Sequence, residues 1–222
     1  MDFAEHGYAL LPDLLPADAA QALLDKLAGL PLGLARGGIR RIAELLPDVA
    51  ALAASPGLLA VAAGHLAGAP RLVRAIYFDK SPGHNWSVAW HQDKTVAVSE
   101  RFAAAGWGPW SIKAGAWHVQ PPVSVLEDMV TLRVHLDPAT RANGCLKVVQ
   151  GSHRAGLLAG EAMRALVRQG PVVYCESPSG GGLLMRPHIL HASEKASAPL
   201  PRRLLHFEYS SYPLPAGIAW AT

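Results

Sequence analysis

The chain has 222 residues, 50% of them hydrophobic, and a formal net charge of +3 with histidine counted neutral. That is enough apolar material for one domain with a sizeable core, and it excludes a disordered or fibrous chain. There is no basic run or lysine-rich tail, so no nucleic-acid partner is expected; an isoelectric point near 9.0 hints at most at an acidic substrate.

Cys145 and Cys175 are the only two cysteines, too few for a disulfide framework, and read as buried thiols in a reducing compartment. The opening residues Met1-Asp2-Phe3-Ala4-Glu5-His6 lack the charged-then-apolar pattern of a leader. No apolar run reaches the roughly 18 residues of a membrane span. A cytoplasmic protein with no membrane partner is expected; composition leaves monomer and dimer open.

Gly7 to Pro12 reads as a short apolar strand. Pro16-Ala17-Asp18 starts an amphipathic helix to about Gly29, with Leu23, Leu24 and Leu27 on its apolar face. The alanine- and leucine-rich segment 47–67 starts at Pro47-Asp48 and breaks at Ser55-Pro56-Gly57, giving two helices. Residues 1–69 thus look like helical support for one face of a sheet.

The texture changes at Pro70. Arg71 to Phe78 is a strand, Lys80 to Trp86 a turn-rich loop leading into Trp90-His91-Gln92-Asp93, and Thr95 to Val98 another short strand. Segment 99–122 sets Trp107, Trp110, Trp117 and His118 among glycines and prolines. A loop so long and so aromatic predicts a lid over a pocket. In 129–137, Val130, Leu132, Val134 and Leu136 alternate with Thr131, Arg133, His135 and Asp137, a strand with one apolar face and one face toward water or a wet cavity. Turns at Asp137-Pro138 and Asn143-Gly144 follow. Strands are expected at 145–149, 171–175, 182–185, 189–192 and 203–209, with a helix at 159–168. Helices first and many short strands after predict a single mainly β domain, an antiparallel sandwich or barrel over 70–222.

His91 and Asp93 stand at i and i+2, so around a strand end their side chains point the same way. With His191 from a distant strand they make the two-histidine, one-carboxylate set of a non-haem iron site, which leaves metal positions open. A second such pair, His135 and Asp137, more simply ends a strand before Pro138. An arginine past Pro199-Leu200-Pro201 would suit a carboxylate. Together these fit a 2-oxo acid cosubstrate beside an iron that takes oxygen. The zinc-hydrolase reading of the same ligands is disfavoured by that arginine.

The ordered run Phe78-Asp79-Lys80-Ser81-Pro82, Asn85-Trp86, Trp90-His91-Gln92-Asp93, Asn143-Gly144-Cys145-Leu146, Gly151-Ser152-His153 and His191-Ala192-Ser193 with Arg202 resembles the phytanoyl-CoA dioxygenase family over nearly the whole chain. The resemblance implies a double-stranded β-helix (jelly-roll, cupin-like) and an Fe(II)- and 2-oxoglutarate-dependent dioxygenase that uses O2 to oxidise a C–H bond of a small molecule. It implies His91, Asp93 and His191 as iron ligands, Arg202 and Ser193 on the distal carboxylate of 2-oxoglutarate, and a contact from Lys80. Halogenating relatives replace the carboxylate with a small residue; Asp93 retains it. Where many members carry a tryptophan in the strand after the HxD loop, this chain places Arg133.

Period-two reading sets Arg203 with Leu205, Phe207 and Tyr209, as if inward, whereas spacing from His191 favours Arg202. His188 and His153 read as structural, and His206 as a cavity wall or a partner of Glu208. The alternative from another class is a non-catalytic metal-binding jelly-roll, a sensor or binding protein.

Overall fold

The computed structural model describes residues 2–30, 38–81 and 84–221; Pro82 and Gly83 of the expected loop lie outside the described residues. Two antiparallel sheets face each other. The larger has six strands in the order Tyr8–Leu11, Gly182–Met185, Met129–His135, Arg203–Ser210, Arg71–Asp79 and Gly38–Arg40. The smaller has four, Val172–Tyr174, Leu146–Val149, His191–Ser193 and Val88–His91. This is a jelly-roll sandwich, mainly β with helices ahead of it, as expected from the order of elements.

The predicted helices form where the sequence puts them. Ala17–Ala28 buries Leu23, Leu24 and Leu27. Pro47–Ala53 and Pro56–Ala63 each carry proline in the first turn, and the Ser55 side chain caps the second. The short helices Phe3–His6 and Ile42–Leu45 and the strand Gly38–Arg40 were not expected; four-residue helices and a three-residue edge strand span too few residues to show a period.

The largest core cluster lies between these helices and the six-stranded sheet. It takes Val130, Leu132, Val134 and Leu136 from one central strand and Leu205, Phe207 and Tyr209 from its neighbour. The residues in between point the other way, into the sandwich. Thr131, Arg133, His135, His206 and Glu208 are all buried there. The polar face of 129–137 thus looks into the molecule, and the two apolar layers face the helices.

Segment 99–122 differs from the expected lid. It contributes the hairpin Trp110–Lys113 and Ala116–Val119, which pairs with Val96–Val98 in a third sheet. Trp107, Trp110 and Trp117 pack with Phe102, Tyr212 and Trp220 against a buried valine cluster. The sequence cue was aromatic content, which a lid and a small satellite core share. Among the described residues no helix is long and apolar enough to cross a membrane.

Candidate metal centre and cosubstrate cavity

His91 closes the strand Val88–His91, and His191 opens the strand paired with it, the two standing directly opposite in register. Opposed residues of an antiparallel pair project to the same side, and the imidazole centroids are 4.1 Å apart. Asp93 lies just past the strand end. Its backbone N–H donates to the Pro187 carbonyl at 2.9 Å. The buried Gln92 amide donates to the carbonyls of Gly156 and His188 and accepts from Leu158 N–H. The turn that presents Asp93 is therefore tied to the loop that presents His191.

Each histidine Nδ1 lies against the carbonyl two residues earlier, at 2.9 Å from Ala89 for His91 and 2.8 Å from Ile189 for His191. Those carbonyls only accept, so Nδ1 carries the proton and each Nε2 presents a lone pair. The Nε2 atoms stand 3.8 and 3.6 Å from the two Asp93 carboxylate oxygens. One ligand atom from each residue falls in a group within 4.8 Å. Burial pushes the His191 imidazole down to about 4, against the pull of Asp93. Burial would raise the Asp93 carboxyl, but His191, His206, Arg74 and His91 bring it down to about 2. Two imidazoles, each Nδ1 already held by a backbone carbonyl, and one carboxylate are a donor set that fits a divalent first-row metal.

The three side chains open on a cavity of about 150 Å³ walled by Phe78, Trp86, Val88, Leu146, Arg133, Ser193, Arg202 and His206. Arg202 is buried, with no partner for Nε or Nη1. Burial, then the neighbouring Arg133, pushes its guanidinium down to about 10. Arg203, by contrast, forks onto Asp137, Nε to Oδ2 at 2.7 Å and Nη2 to Oδ1 at 2.9 Å. The period-two argument misled because the apolar residues it grouped with Arg203 face the helices, not the cavity. Asp137 is thereby committed to an ion pair, and His135 is buried away from the triad with both ring nitrogens unpartnered.

Lys80 stands apart from this cavity. Its ammonium donates to the Glu194 carbonyl, and it lines a neighbouring hollow of about 260 Å³ with Ser81, Asn85 and residues 196–200. Burial, then Arg202, lowers it to about 8. Gly144, at φ +71°, lets the chain pass this lysine: a Cβ there would collide with the Glu194 carbonyl. His188 and His153 sit together, ring centroids 6.0 Å apart, outside the triad cavity. His206 both walls the cavity and bonds Glu208, its Nε2 3.0 Å from Oε1.

Arg74, which the sequence reading passed over, completes that group by donating to Glu208 at 2.6 Å. Its only sequence signal is a charge inside an apolar strand. Arg133, noted as an oddity, is a cavity wall.

The family model for phytanoyl-CoA dioxygenase (PhyH) matches residues 3–204. The chain belongs to that family. It is accordingly a non-haem iron oxygenase that uses 2-oxoglutarate and O2 and acts on a small molecule, and the non-catalytic alternative is not favoured. No curated protein sequence matches the chain significantly.

Among solved structures, EctD from S. alaskensis with 2-oxoglutarate and 5-hydroxyectoine is similar at a TM-score of 0.71 and 20% identity, covering 94% of this chain and 73% of that one. AviO1 from Streptomyces viridochromogenes gives 0.68 and 20%, covering 96% and 93%. The non-heme alpha ketoglutarate dependent epimerase SnoN from nogalamycin biosynthesis gives 0.67 and 18%, covering 99% and 82%. At these identities the likeness is one of fold.

Proposed function

We propose that His91, Asp93 and His191 hold the iron of this PhyH-family oxygenase, that Arg202 with Ser193 takes the distal carboxylate of 2-oxoglutarate, and that the reaction is oxidation of a substrate C–H bond. The observation that carries the reading is the contrast between neighbouring arginines. Arg203 is spent on Asp137, while Arg202 walls the cavity that holds the triad and has no protein partner for Nε or Nη1. An unpaired buried guanidinium is costly unless a ligand completes it. Lys80 is left to brace the Glu194 loop.

Bound iron supplies oxygen activation, coupled to decarboxylation of 2-oxoglutarate to succinate. The protein's share is positioning. The Ala89 and Ile189 carbonyls fix the two imidazoles, and Arg74 with His206 keeps Glu208 ionised beside Asp93. Phe78, Trp86, Val88 and Leu146 supply the apolar wall that limits water. Residues 70–222 supply most of the catalytic jelly-roll of one domain, and the described part of 1–69 braces it with helices and adds Tyr8–Leu11 and Gly38–Arg40 as the edge strands of its larger sheet.

The test is anaerobic addition of Fe(II) and 2-oxoglutarate to the purified protein. A weak visible charge-transfer band is expected with the native chain and absent after Asp93→Ala. Folded native protein giving no band would count against the assignment. Screening succinate release over candidate metabolites then addresses the substrate.

A further inference from the structure

We infer that Arg133 is a second cosubstrate-binding cation, which takes the 2-oxo-acid end of 2-oxoglutarate while Arg202 takes the other end. The inference rests on the metal and distal-carboxylate assignments above and deepens them.

Two guanidiniums wall the triad cavity, those of Arg133 and Arg202. Arg74 and Arg203 nearby have acids of their own, Glu208 and Asp137. Arg133 and Arg202 have none: neither makes a salt bridge within the described residues, and Arg133 Nε and Arg202 Nε and Nη1 have no hydrogen-bond partner. Two buried, unpaired cations that wall one cavity repel each other, which is unfavourable until negative charge arrives. A diacid brings two negative charges, one for each. The cavity, about 150 Å³, lies below the roughly 300–1,000 Å³ of drug-sized sites. It suits a five-carbon diacid better than that diacid and a substrate together.

Placement decides which end Arg133 serves. Arg133 stands opposite His206 across the central strands of the larger sheet. His206 in turn groups with Asp93, ligand atoms within 4.8 Å, so Arg133 is on the metal side. Arg202 lies just ahead of the strand Arg203–Ser210, four residues before the His206 that faces Arg133. The Arg133 head is fixed in place: Nη1 donates to His206 Nδ1 at 3.3 Å, and Cζ lies 5.5 Å from the centre of the Phe78 ring. His206 can accept there because its Nε2–H is directed at Glu208. Nη1 of the guanidinium is thus held by the protein, Nε is buried without a partner, and the residue walls the cavity.

The experiment compares two ligands on the anaerobic Fe(II) protein by the charge-transfer band: 2-oxoglutarate, and 2-oxopentanoate, which has a methyl group where the distal carboxylate would be. Arg133→Met should weaken both by a similar factor, roughly 10- to 100-fold for a lost charge-assisted hydrogen bond. Arg202→Met should weaken 2-oxoglutarate alone. Weakening of 2-oxoglutarate alone by Arg133→Met would place Arg133 at the distal end, and no change in either ligand would hand it to the substrate; both results overturn the inference. So does a loss confined to iron affinity, measured without cosubstrate. Arg133→Gln gives the same comparison if the methionine variant does not fold. Native protein lacking the band would bring down the metal assignment together with this one, whereas a native band unaffected by Arg133 variants removes this one only.

Discussion

Replacing Arg202 by methionine should stabilise the empty protein and abolish its response to 2-oxoglutarate. Arg202 is 4% exposed, and the pKa of its guanidinium is pushed down to about 10, first by burial and then by Arg133. At about 1.4 kcal/mol per pH unit, holding it charged in the folded state costs on the order of 3 kcal/mol. Methionine keeps an unbranched apolar stem and removes that charge. For a chain of this size each kcal/mol moves Tm by about 2–4 °C, so the empty variant should melt several degrees higher. Cosubstrate at a hundred times its Kd stabilises by about 2.7 kcal/mol; loss of a bidentate charged pair worth ~3 kcal/mol would bring that close to zero. The assay is thermal melting of metal-free and Fe(II)-loaded protein under argon, with and without 2-oxoglutarate. A variant that melts lower than native when empty, yet keeps the full cosubstrate shift, would refute the reasoning.

Arg203→Met should do the opposite: it breaks the part-buried fork onto Asp137 and should lower stability by roughly 1–3 kcal/mol while the 2-oxoglutarate shift survives, as read in the same melts. Asp93→Ala should abolish iron binding in an equilibrium dialysis, and His135→Ala should not; the reverse result would mean the other H-x-D pair is the metal site. His188 and His135 are pushed down to about 4 and about 3, mainly by burial, so the unfolded chain takes up protons before the folded one does. Stability is therefore complete above about pH 7 and lost as pH falls through 6.5 toward 4. At pH 5 each histidine should account for a loss of about 2 kcal/mol, seen as a falling urea midpoint. An unchanged midpoint between pH 7.5 and 5 would contradict this.

The parts of the molecule legible in the sequence were those with a period or a spacing. Alternation along 129–137 and 203–209 marks the two central strands of the larger sheet, and proline starts mark the helices at Pro47 and Pro56. The i, i+2 spacing of His91 and Asp93 predicts side chains on one side of a strand end, and the structure sets both beside His191. Alternation alone did not say which layer is which. Both faces of a central jelly-roll strand are buried, so apolar residues could not be equated with the cavity side, and Arg203 looked inward when it pairs with Asp137. The tryptophans of 99–122 were equally compatible with a lid and a satellite core. Arg74 carried no spacing to any partner, since its contact with Glu208 spans 134 residues and exists only through sheet pairing.

The most direct measurement is a crystal structure of the protein loaded with iron under argon, with anomalous scattering recorded at the iron edge. A single peak bonded to Nε2 of His91, Nε2 of His191 and a carboxylate oxygen of Asp93 is the predicted result. A peak seated instead among Asp93, His206 and Glu208, the other group among the described residues whose ligand atoms converge within 4.8 Å, would contradict the account.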